Sequence, residues 1–444
     1  MSEIRITVND LEVLRTNLVG YDVERCAILL AAPALGRGDS SSLVVREIHL
    51  PELEDYLSQT KTFAQLSPAY VARVTKKARN EKLQLVFVHS HLAPYPPEFS
   101  ATDDEGERVL ADFLSRRGLT GAHGALVLSP GGLHARELGS SREMRVVSVG
   151  NRRVVEFDPS TSCDTQIEQY DRQIRAFGLA GQQAIQKLRV AIVGLGGTGS
   201  VLAQQLVHLG VRDFLLLDPD TLEQTNLNRV VAARESDIGT PKVEIARRYM
   251  QDFSSQVRVQ TIVGDVCRSA IAKQLTTVDI IFGCTDSHGS RSVFQQVAYQ
   301  YLIPCIDMGS TITSSEGAVT GIYGRVQLLS PGHGCLWCSG LLNPEEIRRD
   351  MMSEQERKLD PYIPGAREPA PSVISLNSTM VSMAVTMLLN IVTEVPGEAR
   401  HLVYDAKGPK LRSVAVKSSP DCFICSLKGA LARGDRQPLF ARQD

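Results

Sequence analysis

The sequence predicts an α/β protein in which a mixed α/β domain is followed by a Rossmann-like, doubly wound parallel sheet. The apolar strand 190–193 runs into a glycine-rich turn, and a helix that begins at Ser200 follows this turn. From about residue 166 onward strands and helices alternate, which is typical of a parallel sheet covered by helices on both faces. Further strands are predicted at 214–217 and 279–282. These observations indicate a nucleotide-binding type of sheet in the second part of the chain.

The first part of the chain shows a less regular alternation and is predicted to be a separate domain. Residues 1–157 form this domain, residues 158–165, rich in Ser and Thr, form a linker, and residues 166–444 form the second domain. In the first domain, the apolar pattern predicts strands at 27–32, 43–48, 83–88 and 124–128 and helices at 67–80 and 102–116.

The bulk composition excludes several classes of function. The 444 residues carry 50 acidic and 48 basic side chains, so no field that attracts nucleic acid or a membrane surface is expected. The N-terminus lacks the pattern of a signal peptide, and the apolar stretch 380–392 is predicted to be a core helix, too short to span a bilayer. Nine cysteines, four of them in two Cys-x-x-Cys pairs, indicate metal binding in a reducing compartment, so a cytoplasmic protein is expected.

A nucleotide site is predicted where strand 190–193 ends. A glycine-rich turn between a strand and a helix lets backbone N–H groups approach a phosphate, and the helix N-terminus adds positive potential. This turn alone would suggest NAD, but the Asn-Leu-Asn-Arg cluster 226–229 favours a polyphosphate that is cleaved. The alternative is a Rossmann turn followed by a solvated loop. The predicted nucleotide-binding residues in this part are Gly194, Gly196, Gly197, Gly199, Asp218, Asp220, Asn226, Asn228 and Arg229.

A pattern in the first domain is typical of a catalytic metal site. His89 and His91 follow an apolar strand, and residues two apart on an extended segment project from the same face. Asp103, near a helix start, supplies a third ligand, and this set leaves an open zinc position for a water whose pKa the metal lowers. Ser100 would donate a hydrogen bond to a developing oxyanion. The alternative is a solvent-facing turn in which Ser100 caps the helix and Asp103 completes a capping box.

Two Cys-x-x-Cys pairs predict a second zinc site. Four thiolates from two such turns form a closed tetrahedral site, which is structural rather than catalytic. Four unrelated core cysteines are the alternative. The predicted ligands are Cys335, Cys338, Cys422 and Cys425.

The first domain resembles the JAMM (JAB/MPN) metalloproteases, deubiquitinase-like hydrolases that cleave peptide or isopeptide bonds after ubiquitin-like proteins. The resemblance rests on the His-Ser-His sequence, the Ser-x-x-Asp sequence that follows it, and a glutamate, Glu24, before an upstream apolar strand. It implies that the two histidines and Asp103 bind a catalytic zinc, that Glu24 is the general base, and that Ser100 assists the oxyanion.

The second domain resembles the ThiF/MoeB/ubiquitin-activating superfamily of adenylating enzymes. The resemblance extends from Gln169 to the end of the chain and rests on several separate motifs. These are Tyr170-Asp-Arg172-Gln-Ile, the glycine-rich turn, the Gly-x-Pro-Lys element that ends at Lys242, and the Cys-Thr-Asp sequence that ends at Asp286. The superfamily also carries a zinc site at the positions of the two Cys-x-x-Cys pairs.

The resemblance implies a role in adenylation for each of these residues. Asp218 would hold the ribose hydroxyls of ATP, and Asp286 would hold magnesium. Arg172 would reach into the neighbouring subunit's site as an arginine finger, which implies a homodimer. The cationic groups would neutralise the charge that develops when a carboxylate attacks the α-phosphate. The residues implied to contact the phosphates are Asn226, Asn228, Arg229 and Lys242.

One departure from this superfamily concerns the crossover loop, where many relatives carry a nucleophilic cysteine. Residues 362–367 match that region and contain no cysteine. The resemblance therefore implies adenylation but not a thioester, and relatives that activate sulfur carriers work without this cysteine. The other cysteines are expected to have packing roles: Cys26, Cys163, Cys267, Cys284 and Cys305.

Both resemblances lead to the expectation of an adenylating enzyme fused to a zinc metalloprotease, acting on a ubiquitin-like protein in a prokaryotic conjugation pathway. The expected cofactors are ATP, magnesium, one catalytic zinc and one structural zinc. The expected partners are the ubiquitin-like substrate and a conjugating enzyme or sulfurtransferase. One alternative is the activation and uncapping of a sulfur-carrier protein for cofactor or amino-acid biosynthesis. A non-enzymatic scaffold that binds a ubiquitin-like protein is the other.

Overall fold

The structure is a computed structural model that describes residues 2–38, 40–160, 168–315, 318–353, 356 and 371–443. The chain divides into two compact units. The first comprises Met1–Thr161, Gln300–Leu302 and Ala430–Pro438, and the second comprises Ser162–Tyr299, Ile303–Gly429 and Leu439–Asp444. A short C-terminal segment therefore belongs to the first unit, which no feature of the sequence indicates.

The first unit is built on an eight-stranded mixed sheet. Its strands are β1 (Glu3–Thr7), β2 (Cys26–Leu35), β3 (Ser41–His49), β4 (Tyr56–Gln59), β5 (Ala64–Leu66), β6 (Gln84–Ser90), β7 (Gly124–Ser129), β8 (Gly132–Glu137), β9 (Arg145–Val149) and β10 (Arg153–Phe157), and its helices are α1 (Val8–Leu18), α2 (Pro68–Asn80) and α3 (Ala101–Arg116). The order in the large sheet is β10-β9-β1-β3-β2-β6-β7-β8, and β4 and β5 form a separate hairpin.

Strand β2 is buried on both faces, which explains its uninterrupted apolar sequence. On one face, Leu29 belongs to the same apolar cluster as Leu14 of α1. On the other face, Ile28 packs in a cluster with Val74 of α2 and Leu114 of α3. The first unit is therefore a three-layer arrangement in which the central strands carry side chains into two cores.

The second unit is built on another eight-stranded sheet. Its strands are β11 (Arg189–Val193), β12 (Asp213–Asp218), β13 (Arg258–Val263), β14 (Ile280–Gly283), β15 (Cys305–Ser315), β16 (Ala318–Leu329), β17 (His401–Asp405) and β18 (Lys410–Ser413), and its described helices are α4 (Asp171–Lys187), α5 (Gly197–Leu209), α6 (Lys242–Phe253), α7 (Ser269–Gln274), α8 (His288–Gln300), α9 (Pro344–Asp350) and α10 (Ile374–Val392). The strand order is β13-β12-β11-β14-β15-β16-β17-β18.

The strand order of this sheet reverses next to β11. The first five strands in the order are parallel, and after β13 the chain returns to the other side of β11 to form β14 and β15. In open α/β sheets, ligands bind outside the carboxyl ends of the strands at such a reversal. The predicted Rossmann-like sheet is thus confirmed, and its topology places a site between β11 and β14.

Helix α10 corrects the prediction for residues 380–392. The helix begins already at Ile374 and has 19 residues, so by length and composition it could cross a membrane, with a mean hydropathy of 1.4. Half of the most apolar 18-residue segment of this helix is buried within the unit. Met380 and Leu388 share an apolar cluster with Leu202 of α5. The helix packs as a core helix as predicted, but polar residues of its first turns concealed its true length.

Most of the predicted strands and helices are confirmed with small shifts at their ends. The clearest difference is α5, which begins at Gly197 rather than at Ser200, because the last three residues of the glycine-rich segment already form the first turn of the helix. The edge strands β8 and β10, and β9 next to β10, were not predicted, since they carry shorter apolar patterns than the central strands.

The cysteines outside the two Cys-x-x-Cys pairs are mostly packed in the interior. Cys26, Cys267 and Cys305 are buried, and Cys284 is partly buried, as the packing interpretation predicts. Of the linker 158–165, the structure describes only 158–160. Cys163 and the loop 362–367 lie outside the described residues.

Candidate functional site

A cavity of about 830 Å³ lies at the carboxyl ends of the parallel strands in the second unit. The glycine-rich turn after β11, the end of β12, the segment after β14 and part of β15 line it. The predicted site residues that line the cavity are Gly194, Gly196, Gly197, Asp218, Asp220, Asn226, Arg229, Lys242 and Asp286. Gly199, Asn228 and Arg172 are not among the described residues that line it. The structure thus brings together residues from four separate motifs at the strand-order reversal.

The glycines of the turn differ in the geometric reason for which a side chain is absent. Gly194 has a φ of +93°, a left-handed conformation that side chains disfavour. A Cβ on Gly199 would lie 1.8 Å from the carbonyl oxygen of Gly194, so only glycine lets the helix start this close to the turn. By contrast, a Cβ on Gly196 would meet no atom within 4 Å, because Gly196 faces the open cavity. Bare backbone at the N-terminus of α5 therefore faces the cavity, which suits an anion.

Asp218 anchors this turn to the end of β12. Its two carboxylate oxygens accept hydrogen bonds from the backbone N–H groups of Leu195 at 2.5 Å and Asp220 at 2.8 Å. Burial raises the pKa of Asp218, and the hydrogen bond from Leu195 partly opposes this. Asp220 is more exposed and accepts a hydrogen bond from Lys242 Nζ at 2.8 Å. The observed role of Asp218 is therefore structural support, and ribose binding stays a prediction.

The Asn-Leu-Asn-Arg cluster is held in a short helical turn. Asn226 is buried and its Oδ1 accepts a hydrogen bond from the backbone N–H of Glu223 at 3.2 Å. Arg229 donates from Nη1 to the carbonyl of Thr225 at 2.5 Å and to Asn228 Oδ1 at 3.1 Å. In this arrangement the two asparagines support the turn, and Arg229 is the member of the cluster that places a positive charge at the cavity.

Asp286 and Arg172 differ in where they lie. Asp286 is exposed at the cavity and makes no hydrogen bond or ion pair with any described residue, so its carboxylate is available to a cation. A magnesium ion is usually held by one or two carboxylates together with phosphate oxygens, which this position fits. Arg172 is exposed on α4 and away from the cavity lining. Its predicted action on a neighbouring subunit stays a prediction.

Several residues of the cavity wall were missed by sequence reasoning. Asn377 of α10 lies against the turn, since a Cβ on Gly197 would be 2.5 Å from its Nδ2. Asn377 Oδ1 also accepts a hydrogen bond from Ser310 at 3.2 Å. Arg291 of α8 lines the cavity as well, five residues after Asp286. Asn377 is brought in by tertiary packing alone, whereas the position of Arg291 shortly after the Cys-Thr-Asp motif was an available signal.

In the first unit, the structure brings His89, His91 and Asp103 together. His89 Nε2 lies 3.1 Å from His91 Nε2 and 3.2 Å from Asp103 Oδ1, and His91 Nε2 lies 3.8 Å from Asp103 Oδ2. At metal–ligand distances of about 2.0–2.1 Å, the edge of a tetrahedron is about 3.3–3.4 Å, so these separations fit three ligands of one zinc ion. Burial and the neighbouring His89 lower the pKa of His91, which favours the neutral form that binds metals.

Glu24 lies beside this cluster because of the pairing between β2 and β6. Cys26 is paired with His89 across the two strands, and Glu24 precedes Cys26 by two residues. The backbone N–H of Glu24 donates to the carbonyl of Thr60 at 2.8 Å, and this hydrogen bond fixes Glu24 against the β4–β5 hairpin. Burial raises the pKa of Glu24 to about 7, although His89 opposes the shift. A carboxyl group with this pKa is suited to accept and release a proton near neutral pH.

Ser100 caps helix α3, which is the alternative that the sequence left open. Its Oγ accepts from the backbone N–H of Asp103 at 3.3 Å, and its backbone N–H and hydroxyl donate to Asp103 Oδ2 at 2.6 and 2.7 Å. Burial raises the pKa of Asp103, but these bonds and the contact with His89 hold it well below its usual range. Ser100 thus orients a candidate metal ligand, and its role at an oxyanion stays a prediction.

The four cysteines of the two Cys-x-x-Cys pairs form one cluster. The Sγ atom of Cys335 lies 3.8 Å from that of Cys338 and 3.6 Å from that of Cys422, and those of Cys338 and Cys425 are 3.6 Å apart. These distances are too long for disulfides, in which the sulfurs are about 2.05 Å apart. They match the edge of about 3.8 Å that a tetrahedral zinc site with bonds of about 2.3 Å requires. The donor set therefore fits a structural zinc site.

Comparison with known proteins assigns the second unit. The model of the ThiF family matches residues 170–424, more than half of the chain, and leaves the residues before 170 unmatched. The SAMP-activating enzyme E1 of Haloferax volcanii is 27% identical over 60% of this chain and 91% of that relative. The sulfur carrier protein ThiS adenylyltransferase of Escherichia coli is 25% identical over 59% of this chain and 96% of the relative.

A third relative comes from a eukaryote. Ubiquitin-like modifier-activating enzyme 5 of Oryza sativa is 25% identical over 54% of this chain and 56% of the relative. The family match, the strand-order reversal and the motif residues around the cavity agree with one another. This chain belongs to the ThiF family of adenylyltransferases.

Proposed function

We propose that the second unit uses ATP to adenylate the C-terminal carboxylate of a ubiquitin-like protein. One observation carries this proposal: the cavity at the strand-order reversal combines the glycine-rich turn with Arg229, Lys242 and Asp286. Relatives of this chain activate ubiquitin-like or sulfur-carrier proteins, which supports a protein tail as the acceptor. The expected setting is the cytoplasm of a prokaryote, with a homodimer in which Arg172 serves the partner's site.

The proposed reaction needs charge neutralisation more than proton transfer. A tail carboxylate is already ionised at neutral pH, and its oxygen attacks the α-phosphorus of ATP. The bond from the α-phosphorus to the bridging oxygen breaks, and pyrophosphate leaves with the electron pair. The N-terminus of α5, Arg229 and Lys242 would stabilise the phosphate oxygens, and magnesium held by Asp286 would neutralise the leaving group.

Exchange of labelled pyrophosphate into ATP tests this proposal. The wild-type chain, magnesium and a purified ubiquitin-like protein ending in Gly-Gly should give exchange that depends on that protein. Asp286→Asn should lower the rate by about 100- to 1000-fold, because it removes an electrostatic contact of the transition state. Asp252→Asn, on the exposed face of α6, is the matched control. Exchange that no ubiquitin-like protein stimulates would contradict the proposal.

We further propose that the first unit is a zinc-dependent peptidase or isopeptidase for the same protein, as in the JAMM family. The triangle of His89, His91 and Asp103 supports it, together with the neighbouring Glu24, whose pKa burial raises to about 7. Zinc, when bound, would polarise the scissile carbonyl and make a water more acidic. The Glu24 carboxylate would take the proton from the attacking water and pass it to the leaving amine.

Cleavage of a precursor with residues beyond its Gly-Gly tests this second activity. Wild-type protein should cleave it, whereas Glu24→Gln should lose cleavage but keep two zinc ions per chain. His89→Gln should lose both cleavage and one zinc ion. His134→Gln, which removes a ring bonded to Glu143 rather than to the cluster, is the control. A chain that binds one zinc ion in the wild type would refute the proposed catalytic centre.

Sulfur-carrier activation is the second candidate function. It is supported by the relative that adenylates a sulfur carrier and by the absence of cysteine from 362–367. In this case the adenylate would pass to a sulfurtransferase, and the first unit would uncap the carrier. Incubating the adenylated protein with a persulfide-loaded sulfurtransferase and a thiol reductant distinguishes the two functions, because the terminal sulfur would displace AMP and the reductant would then cleave the acyl disulfide that forms. Formation of a thiocarboxylate supports the sulfur pathway, and transfer to a conjugating-enzyme cysteine supports conjugation.

A further inference from the structure

A cluster of charged side chains, Asp307, Arg291 and Arg325, lies at the β15 side of the cavity. Asp307 of β15 is fully buried, and its Oδ1 accepts a hydrogen bond from Arg291 Nε at 3.3 Å. Its Oδ2 is paired with Arg325 of β16. One buried carboxylate is thus shared by two guanidinium groups, and the cluster carries a net positive charge.

The two arginines of this cluster differ in what they face. Arg291 lines the cavity, and Arg325 does not. The bond from Nε fixes the Arg291 side chain, while its terminal nitrogens make no hydrogen bond with any described residue. They lie over the backbone of Gly309, since a Cβ there would be 3.0 Å from Nη2. Arg291 therefore presents an oriented, unsatisfied pair of donors to the cavity.

The position of Arg291 separates it from the groups assigned to ATP. The turn, Arg229 and Lys242 lie near the ends of β11 and β12, whereas Arg291, on α8, lies against Gly309 of β15, on the other side of β14 in the sheet. Lys242 and Arg229 place their positive charges on the side of the cavity where the backbone N–H groups of the turn would bind phosphates. An acceptor carboxylate needs its own cation, because two anions must meet at the α-phosphorus.

We propose that Arg291 binds the C-terminal carboxylate of the substrate protein, and that Asp307 positions it for this contact. This inference rests on the proposed adenylation of a protein tail and adds which residue recognises the reacting group. A guanidinium held through Nε can offer its two Nη groups to one carboxylate, a pairing that an amide cannot match. Arg325 pairs with the other carboxylate oxygen of Asp307 and does not line the cavity.

Binding of two forms of one substrate tests the assignment. The probe is a ubiquitin-like protein that ends in Gly-Gly, prepared with its free carboxylate or with a C-terminal amide, and its dissociation constants are measured with a non-hydrolysable ATP analogue present. Wild-type protein should prefer the carboxylate by about 10- to 100-fold. Arg291→Gln should abolish this preference, and Arg291→Lys should reduce it, while the affinity for the ATP analogue changes less than two-fold.

The variant Arg325→Gln is the matched control, because it removes a cation from the same carboxylate without touching the cavity wall. It should lower the melting temperature as Arg291→Gln does but retain the preference for the carboxylate. Loss of ATP-analogue affinity in Arg291→Gln, or equal loss of preference in both variants, would overturn the inference. If the wild-type chain catalyses pyrophosphate exchange but shows no preference for the carboxylate, only the assignment of Arg291 is overturned. If the wild-type chain shows no pyrophosphate exchange, the proposed adenylation is overturned as well.

Discussion

Substituting Gly199 by alanine tests the geometry of the phosphate-binding turn most directly. In the structure, the new Cβ would lie 1.8 Å from the carbonyl oxygen of Gly194. Ordinary contacts between carbon and oxygen are about 3.3–3.6 Å, so the turn and the helix start must separate by roughly 1.5 Å. A misplacement of about 1 Å at a reacting centre can cost about 100-fold in rate. We therefore expect kcat/KM for ATP in pyrophosphate exchange to fall by at least about 100-fold.

The variant Gly196→Ala separates loop geometry from ligand contact. Its methyl group would meet no protein atom within 4 Å and would project toward the cavity. We expect its melting temperature to match the wild type while its KM for ATP rises, because the methyl group occupies the path of a phosphate. Exchange by Gly199→Ala within three-fold of the wild type, at equal melting temperature, would refute the assignment of this turn to ATP. An unchanged KM in Gly196→Ala would show that the phosphates do not approach Gly196.

Three further predictions concern the remaining features. Cys425→Ser should remove one zinc ion per chain, measured by metal analysis, and lower the melting temperature, because a structural site loses one of its four ligands; an unchanged zinc content would contradict the site. Lys242→Gln should raise the KM for ATP in pyrophosphate exchange by about 10-fold or more, because a charged contact with the phosphates is lost. If this variant lowers only the stability, the role of Lys242 is its ion pair with Asp220 and not ATP binding. Gly106→Ala should raise the free energy of unfolding by about 0.5–1 kcal/mol, measured by thermal unfolding, because Gly106 lies inside helix α3 and a Cβ there would meet no atom within 4 Å. A lower free energy of unfolding would mean that α3 is packed more tightly at this position.

The sequence predicted those parts of the sites that depend on local order along the chain. The alternation that places His89 and His91 on one face of a strand end is a local property, as is the glycine-rich turn between β11 and α5. The role of Glu24 at the histidine site was implied only by a family resemblance, and the pairing of β2 with β6, which brings Glu24 beside the histidines, was not predicted. Periodicity gives each strand but not its neighbour or its register, so such contacts need the whole sheet.

The residues that sequence reasoning missed were those brought in by packing between distant elements. Asn377 reaches the turn from α10, and Asp307 and Arg325 meet Arg291 from two neighbouring antiparallel strands. None of these positions carries a motif, because a buried ion cluster is defined by three-dimensional proximity and not by spacing. The hydrogen bonds of Asp218 were missed for the same reason. Both carboxylate oxygens of this residue, which was predicted to bind ribose, accept hydrogen bonds from backbone N–H groups, and the sequence gives no sign of these contacts.

The two proposed activities are connected by one chemical group. Hydrolysis after a ubiquitin-like sequence produces a C-terminal carboxylate, and adenylation consumes one. Because that carboxylate is ionised as soon as it forms, the second unit has no proton to remove and needs only to hold two anions close together. Three cationic side chains in its cavity wall, those of Arg229, Lys242 and Arg291, would meet this requirement. A small-molecule acid would need the same cation but would give the proposed peptidase of the first unit no peptide bond to cut, so of the two acceptors only a protein tail would serve both proposed activities.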